Sequence, residues 1–371
     1  MTKTALRRAT GMLRRFSVEN YRGFAGRLTL DLGSPNSYTF NTGAIEGGCV
    51  SKGIIYGPLG AGRTSLGLAI LDITTHLTDR ELPSPRGPYL NLVGAKPEAM
   101  FEYTFTFGGH EVIYRYAKTD AHTLTSESLR IDGLEVVRYN HACRYGFTRL
   151  EGMDKPTVPS EDDRPLSCIL HAAGSNLPAS VQNHLISALL DYAERMMYIG
   201  PPDGRCDPEI AERIIKASKI RDFQRFLREN GMRYRLRTRT IDGRKAIFCL
   251  MGEQEADLLS IASAGTMALA EFYGLSLRMK EASFVYMDGA DAFYDFKVAE
   301  SIQRKLVAIP GVQILTATHN TNLLSNDILR PDCYFLLKNN QIKAFSELAS
   351  KELRQGHNLQ KMYKAGVFDM K

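Results

Sequence analysis

The chain has 371 residues, of which 44% are hydrophobic and 24% charged, so a fibrous or largely disordered protein is excluded and a large core is possible. Its 47 Lys and Arg residues against 41 Asp and Glu residues give a net charge of +6, which permits contact with nucleic acid without requiring it. The six cysteines form no zinc motif, and no stretch approaches the roughly 18 consecutive apolar residues of a membrane span. We therefore expect a cytoplasmic protein with reduced thiols and no membrane partner.

The chain begins with a polar, basic segment and then a strand. Residues 1–11 lack the apolar region of a secretory signal, and we expect them to be a disordered tail or the consequence of an upstream start site. The segment Met12–Val18 predicts the first strand, and the short apolar run Lys52–Tyr56 predicts a buried one.

A glycine-rich loop follows Lys52–Tyr56 and precedes a helical pattern that reaches His76. It matches the phosphate-binding pattern G-x-x-x-x-G-K-[ST], with arginine in place of lysine, through Gly57, Gly60, Gly62, Arg63, Thr64 and Ser65. The amides of such a loop bind phosphate oxygens, the Thr64 hydroxyl would bind Mg²⁺, and the side chain of Arg63 would lie along the β- and γ-phosphates. Arginine keeps the positive charge but is bulkier and directs its hydrogen bonds differently. A chance glycine loop is the alternative.

The middle of the chain carries a hairpin, helices and a basic strand. Apolar and polar residues alternate on both sides of a Gly-Gly turn, which predicts a hairpin of Met100–Phe107 and His110–Tyr116. Helical periodicity follows in Ser180–Met197 and Asp207–Asn230. The helices predict a small cap that is either a docking surface or purely structural. In Arg233–Arg239 the arginines alternate, so one strand face is cationic: a solvated face, or a surface for nucleic acid or an acidic partner.

Three further motifs follow in the second half. Ser263, Gly265 and Thr266 lead into a helix, the apolar strand Ala282–Asp288 ends in an aspartate, and the strand Val312–His319 ends in a histidine. In this order, after the glycine loop, they resemble the phosphate loop, signature, Walker B strand and switch histidine of the SMC-like group of ABC-type ATPases. The segments Thr318–Phe335 and Lys351–Leu359 resemble small stand-alone bacterial proteins described as AAA family ATP/GTP-binding. Many of those are encoded beside an effector gene in antiphage defence loci.

The resemblance implies an α/β fold, an ABC-type P-loop ATPase head with two lobes around a mixed sheet and a short helical insertion instead of a long coiled coil. The expected boundaries are 12–165 for the N-terminal lobe with the phosphate loop and 166–232 for the insertion. Residues 233–371 would form the C-terminal lobe with the signature, Walker B aspartate and switch histidine. A last helix is expected around Ser350–Ala365.

The resemblance also implies a role for each motif residue. Thr64 and Asp288 would bind Mg²⁺ together with ATP or GTP, and His319 would sense the γ-phosphate. The signature would complete the nucleotide site of a second subunit, so that ATP joins two copies, through Ser263, Gly265 and Thr266. Arg22 matches an arginine that reaches the phosphates in related proteins; a surface arginine is the alternative.

One departure concerns catalysis directly. The family has a glutamate after the Walker B aspartate as general base, whereas this chain has Gly289, and Asp291 or Asp295 would have to substitute for it. Losing a general base costs about two to four orders of magnitude in rate. We therefore expect a module that binds ATP, hydrolyses it weakly or not at all, and forms dimers or larger assemblies.

By the same resemblance, this module would control a separately encoded effector, such as a nuclease or toxin, in antiphage defence. Two alternatives remain: an active DNA-associated ATPase, which would bind nucleic acid, and a scaffold that no longer binds nucleotide.

Overall fold

The computed structural model describes residues 11–78, 80–83, 87–156, 167–175, 177–201, 207, 209–241, 243–289, 291 and 294–370. The predicted disordered tail therefore lies outside the described residues except for Gly11. The chain forms two compact units. The first contains the described residues up to Ile199, the segment Ser283–Asp288 and those from Gln313 onward, and the second contains Gly200–Ala282 and Gly289–Val312.

The strands of the described residues are β1 (Met12–Glu19), β2 (Leu28–Asp31), β3 (Ile45–Glu46), β4 (Cys49–Val50), β5 (Lys52–Tyr56), β6 (Ala99–Phe107), β7 (His110–Lys118), β8 (Leu124–Ile131), β9 (Leu134–Asn140), β10 (Tyr145–Thr148), β11 (Met196–Ile199), β12 (Leu236–Ile241), β13 (Arg244–Met251), β14 (Gln254–Asp257), β15 (Phe284–Asp288), β16 (Gln313–Thr318), β17 (Tyr334–Lys338) and β18 (Gln341–Ala344).

The helices are α1 (Arg63–Leu71), α2 (Thr74–Leu77), α3 (Cys168–Gly174), α4 (Val181–Glu194), α5 (Glu209–Lys216), α6 (Ile220–Glu229), α7 (Leu258–Ile261), α8 (Ala264–Met279), α9 (Phe296–Val307), α10 (Phe345–Leu348) and α11 (Leu359–Lys364). Short 3-10 turns occur at Thr42–Ala44, Thr321–Leu323 and Pro331–Cys333. Among the described helices, none is long and apolar enough to cross a membrane.

The first unit contains an antiparallel sheet in the order β10-β9-β8-β7-β6-β1-β2. In β6 every second side chain points into the core, and Phe101, Tyr103, Phe105 and Phe107 are buried. This alternation places apolar residues on one face of the sheet. The predicted hairpin of β6 and β7 is confirmed, with Phe107 paired to His110 across the Gly-Gly turn.

The first unit also contains a second sheet in the order β11-β15-β16-β5-β17-β18, which is parallel except for β18. Every residue of its central strands β5, β15 and β16 is buried, as in a sheet whose two faces are both covered. β5, β15 and β16 end side by side at the carboxyl edge of this sheet. The glycine loop, Asp288 and His319 therefore begin or lie at one edge, where ligands bind in open α/β sheets.

The second unit is built from α5 to α9 and the antiparallel sheet β12-β13-β14. The predicted helix Asp207–Asn230 is two helices, since Ser218 between α5 and α6 has a left-handed backbone with φ +57°. The predicted basic strand Arg233–Arg239 is confirmed only in its second half, because β12 begins at Leu236. The predicted insertion, 166–232, contributes residues to both units, and the predicted lobes stay predictions.

The prediction of a helix around Ser350–Ala365 is wrong in its first half, because the helix begins only at Leu359. The Asn326 side-chain amide donates to the carbonyls of Arg354, Gln355 and His357 at 2.9–3.1 Å. These carbonyls are thereby held away from a helical ladder, and Asn358 caps the short helix by accepting from the Lys361 amide.

Candidate nucleotide and metal site

The glycine loop leaves the buried strand β5 and turns into α1. Its first residue, Gly57, donates its amide to the carbonyl of Thr318 at 3.2 Å, which places the end of β16 beside the loop. Gly60 and Gly62 have φ of +79° and +96°, a conformation that L side chains rarely adopt, and Gly62 is the residue before α1. The predicted arrangement of strand, glycine loop and helix is present, and Ser65 lies in the first turn of α1.

Arg63 does not extend away from the loop. Its Nη1 donates to the carbonyl of Gly57 and, at 3.0 Å, to that of Pro58, so the guanidinium is held by the loop's own backbone. The predicted position of this side chain along the β- and γ-phosphates stays a prediction.

The predicted metal ligands lie together. Thr64, the second residue of α1, is exposed, and its Oγ1 donates to Oδ2 of Asp288 at 2.5 Å, although the two residues are 224 positions apart in the sequence. Asp288 is only 5% exposed, at the end of β15. A hydroxyl and a carboxylate at the start of a phosphate-loop helix are oxygen ligands of the kind that Mg²⁺ takes.

Sequence reasoning missed a third residue of this cluster, Tyr198. Its hydroxyl donates to the same Asp288 Oδ2 at 3.2 Å from the neighbouring strand β11, where Tyr198 pairs with Tyr286 in parallel register. Burial, and then the negative charge of Asp288, raises the pKa of the Tyr198 phenol, so this hydroxyl stays a donor at neutral pH.

Tyr286 connects this cluster to the loop backbone. Its hydroxyl donates to the carbonyl of Arg63 at 2.7 Å, and its ring is parallel to that of Tyr198 with centroids 6.2 Å apart. The two rings lie against Gly67 of α1, where an added Cβ would be 2.3 Å from Tyr286. The only sequence signal for these residues is a tyrosine two positions before Asp288; the pairing with Tyr198 depends on strand order.

The position at which the resemblance places a general base has an unusual backbone. Gly289 has φ +62°, and an added Cβ would lie 3.3 Å from Cβ of Pro201. Of the two predicted substitutes, Asp295 caps α9, since its Oδ1 accepts from the amides of Lys297 and Val298 at 2.8 and 3.0 Å. Asp291 is buried, at 9% exposure. A catalytic role for either carboxylate stays a prediction.

The switch and signature residues are placed as follows. His319 directly follows β16 and is exposed at the carboxyl edge of the sheet. In the second unit, Ser263 caps α8 by accepting from the amide of Thr266 at 3.3 Å, with Gly265 in the first turn. Ser263 is exposed and Thr266 is buried. Their roles in γ-phosphate sensing and in the site of a second subunit stay predictions.

Arg22 lies in a loop that packs against the glycine loop. In this segment Phe24 touches Gly62, where an added Cβ would be 3.0 Å from the ring. Arg22 has φ +47°, its amide donates to the carbonyl of Tyr89 at 2.9 Å, and its Nε donates to the Tyr21 hydroxyl at 3.1 Å. The residue is thus held near the loop, while its predicted contact with phosphate stays a prediction.

No protein-family model matches the sequence, and no curated protein matches it. Among solved structures, the chain is similar to an SMC head domain from Thermotoga maritima, with 16% identity, a TM-score of 0.44 and coverage of 90% of this chain and 98% of that one. It is also similar to an Smc head bound to the C-terminal winged-helix domain of ScpA, with 12% identity, a TM-score of 0.47 and coverage of 89% and 96%.

The predicted α/β class is confirmed by the sheets and helices of the structure. The first unit has a mixed sheet whose parallel strands bring the phosphate loop, Asp288 and His319 to one edge, as expected for an α/β ABC-type P-loop head. The roles of individual side chains in the site stay predictions, and they are argued from the contacts that each side chain makes.

Proposed function

We propose that this chain is an ATP-binding ABC-type module that binds nucleotide with Mg²⁺, joins into dimers or larger assemblies when ATP is bound, and hydrolyses ATP weakly or not at all. The observation that carries the proposal is the 2.5 Å contact between Thr64 and Asp288 where the glycine loop enters α1. Mg²⁺ binding needs a hydroxyl and a carboxylate at this place.

Weak hydrolysis is supported by the backbone at Gly289. The position has no side chain to orient water, and its φ of +62° disfavours the glutamate that hydrolysis requires. The residues proposed to bind nucleotide and Mg²⁺ are therefore present, whereas the residue that would activate water is not. Under this proposal, the ATP-bound state is long-lived.

Assembly around the nucleotide is supported by exposed apolar side chains near the site. Leu59, in the glycine loop itself, is 83% exposed. Leu92 and Val93 are 84% and 88% exposed. They follow Asn91, whose side-chain Nδ2 donates to the Arg22 carbonyl at 2.5 Å. Contiguous apolar patches mark surfaces that another protein covers, and we propose that these side chains contribute to such a patch.

From the resemblance alone, the proposal extends to control of a separately encoded effector, such as a nuclease or toxin, in antiphage defence. ATP binding would then set whether the assembly holds or releases that effector.

The experiment is the solution mass of the purified protein with and without ATP and Mg²⁺, followed over hours, with GTP as a parallel arm. We expect a shift to a dimer or larger assembly that persists, and no shift for Thr64→Ala. Thr240→Ala, an exposed threonine of β12, is the matched control and should behave as wild type. A wild-type mass that never responds, together with no nucleotide binding, would favour the nucleotide-free scaffold.

The second candidate, an ATPase on DNA, is favoured by the distribution of charge. Residues 213–245 contain twelve Lys and Arg and three Asp and Glu, a net charge of +9, which exceeds the +6 of the whole chain. Arg237 and Arg239 of β12 are exposed, although both pair with Glu255. A cationic strand face of this kind can bind phosphates of a nucleic-acid backbone.

This candidate is tested by fluorescence anisotropy of a labelled DNA duplex over a salt series. If β12 contacts phosphates, Arg237→Ala should reduce the slope of log K against log salt by about one. Arg15→Ala, which removes an exposed arginine paired with Asp31 in the first unit, is the control. Absence of salt-dependent binding by the wild type would reject the candidate.

A further inference from the structure

We propose that Tyr198 positions Asp288 for Mg²⁺, as the fixed hydrogen-bond donor of the metal site; this inference rests on the proposed function. Two donors reach the same oxygen, Asp288 Oδ2: the Thr64 hydroxyl at 2.5 Å and the Tyr198 hydroxyl at 3.2 Å. A buried carboxylate with one rotatable bond beyond Cβ is oriented by such donors.

The two donors differ in what else they do. Thr64 is exposed at the start of α1, and its oxygen is the one that Mg²⁺ would take. Tyr198 lies on β11, which pairs directly with β15, and it is not part of the glycine loop. Its bond to Asp288 is therefore the one that does not depend on the nucleotide.

The ring of Tyr198 is fixed by its surroundings. It is stacked parallel to Tyr286, whose hydroxyl is in turn bonded to the Arg63 carbonyl. Gly67 of α1 leaves room for both rings, with its added Cβ 3.0 Å from Tyr198 and 2.3 Å from Tyr286. The Tyr198 hydroxyl can thus hold the Asp288 carboxylate with little freedom to move.

Residues that orient metal ligands through hydrogen bonds commonly change metal affinity by about 10- to 100-fold when they are removed. A hydroxyl bonded to a buried carboxylate belongs to this class, since a bond to a charged group is among the stronger ones. We expect the lower end, about 10-fold, because Thr64 also bonds the same oxygen.

The test uses the full chain, a fluorescent ATP analogue and a Mg²⁺ titration, with a parallel measurement in EDTA. Tyr198→Phe keeps the ring and removes the hydroxyl. We expect metal-free binding of the analogue within about twofold of wild type and a Mg²⁺ midpoint about 10-fold higher. Tyr192→Phe is the matched control: it removes another buried phenol hydroxyl, which donates to Oε1 of Gln313 at 3.1 Å at the start of β16, so its Mg²⁺ midpoint should stay near that of the wild type.

A double-mutant cycle measures the coupling between Tyr198 and Asp288 in the Mg²⁺ midpoint, which a purely structural role of Tyr198 would not produce. In an Asp288→Asn background, Tyr198→Phe should have no further effect on the Mg²⁺ midpoint, because the oriented carboxylate is gone. An equal loss of binding with and without Mg²⁺ would show that Tyr198 supports only the fold, and would overturn the inference.

The outcomes separate the inference from the proposed function. If the wild type binds the analogue and Tyr198→Phe has an unchanged Mg²⁺ midpoint, the inference alone is wrong. If the wild type binds no analogue under any condition, the proposed function and the inference fall together.

Discussion

Gly289 stands where the resemblance places a glutamate, and its backbone has a left-handed conformation that disfavours a side chain. A residue with a Cβ in the left-handed region costs about 1–2 kcal/mol relative to glycine. Since φ at this position is +62°, a glutamate placed here would be strained in this backbone. A simple reversal of the residue would therefore not rebuild the catalytic position.

At this residue we expect Gly289→Ala and Gly289→Glu each to lower the free energy of unfolding by about 1–2 kcal/mol, with no rise in ATP turnover for the glutamate variant. Gly289→Asn should lower it less, because asparagine enters the left-handed region more readily. Chemical denaturation of the three variants measures this order. Identical unfolding midpoints for wild type and Gly289→Ala would contradict the strain, and faster turnover of Gly289→Glu would contradict the catalytic conclusion.

Among the elements, α1 needs a small residue on the face that packs against the two stacked tyrosines. Gly67 leaves 2.3 Å between a built Cβ and the Tyr286 ring, whose hydroxyl is bonded to the Arg63 carbonyl. The ring therefore cannot move aside without breaking that bond. Packing, and not helix propensity, decides the residue at this position.

We expect Gly67→Ala to lower the free energy of unfolding by about 2 kcal/mol, because overpacking outweighs the gain of about 1 kcal/mol from replacing glycine in a helix. Gly174→Ala at the end of α3 is the matched control, since an added Cβ there would meet no packed neighbour within 4 Å. That variant should stay within about 1 kcal/mol of wild type. Urea denaturation compares the two, and equal losses would argue against the rigid tyrosine pair.

The end of α1 is tied to the antiparallel sheet by a buried ion pair. Lys118 of β7 is 2.8 Å from Oδ1 of Asp72, the residue after α1, and both side chains are at most 3% exposed. The hydroxyls of Tyr116 and Tyr89 also donate to this carboxylate, at 2.9 and 3.0 Å. The negative charge is thus stabilised by one cation and two phenols.

Removing the cation alone should be severe. We expect Lys118→Met to lower the free energy of unfolding by about 3–5 kcal/mol, because Asp72 is left as an uncompensated buried charge. The double variant Asp72→Asn with Lys118→Met should lose clearly less, since no buried charge remains. Urea denaturation of the single and double variants gives the coupling, and additive losses would show that the pair does not act as a unit.

For the whole molecule, the sequence predicted the strands whose carboxyl ends carry the candidate site, but not the residues that support that site from other elements. Buried parallel strands are continuous apolar runs, so β5, β15 and β16 were each predicted to within two residues at either end. The contact of Tyr198 with Asp288 depends on β11 lying next to β15, which no local pattern encodes. The late start of α11 likewise depends on Asn326, about 30 residues earlier in the chain.

Assembly is the property of the whole molecule that the proposed function depends on, and complementation tests it. If the signature completes the site of another copy, Thr64→Ala lacks a metal ligand and Ser263→Asp places a negative charge against the γ-phosphate, so neither variant alone should dimerise with ATP. Aspartate is a good helix cap, so Ser263→Asp preserves the start of α8. A one-to-one mixture contains heterodimers with one intact site and one doubly altered site.

We therefore expect ATP and Mg²⁺ to raise the solution mass of the mixture to that of a dimer while each variant alone stays at its starting mass. The effect should persist for hours if hydrolysis is weak, because an intact site then stays occupied. Light scattering of each variant and of the mixture measures this. Dimerisation of Ser263→Asp by itself would show that Ser263 does not face the nucleotide of a second copy, and a mixture as inert as its components would exclude a shared site.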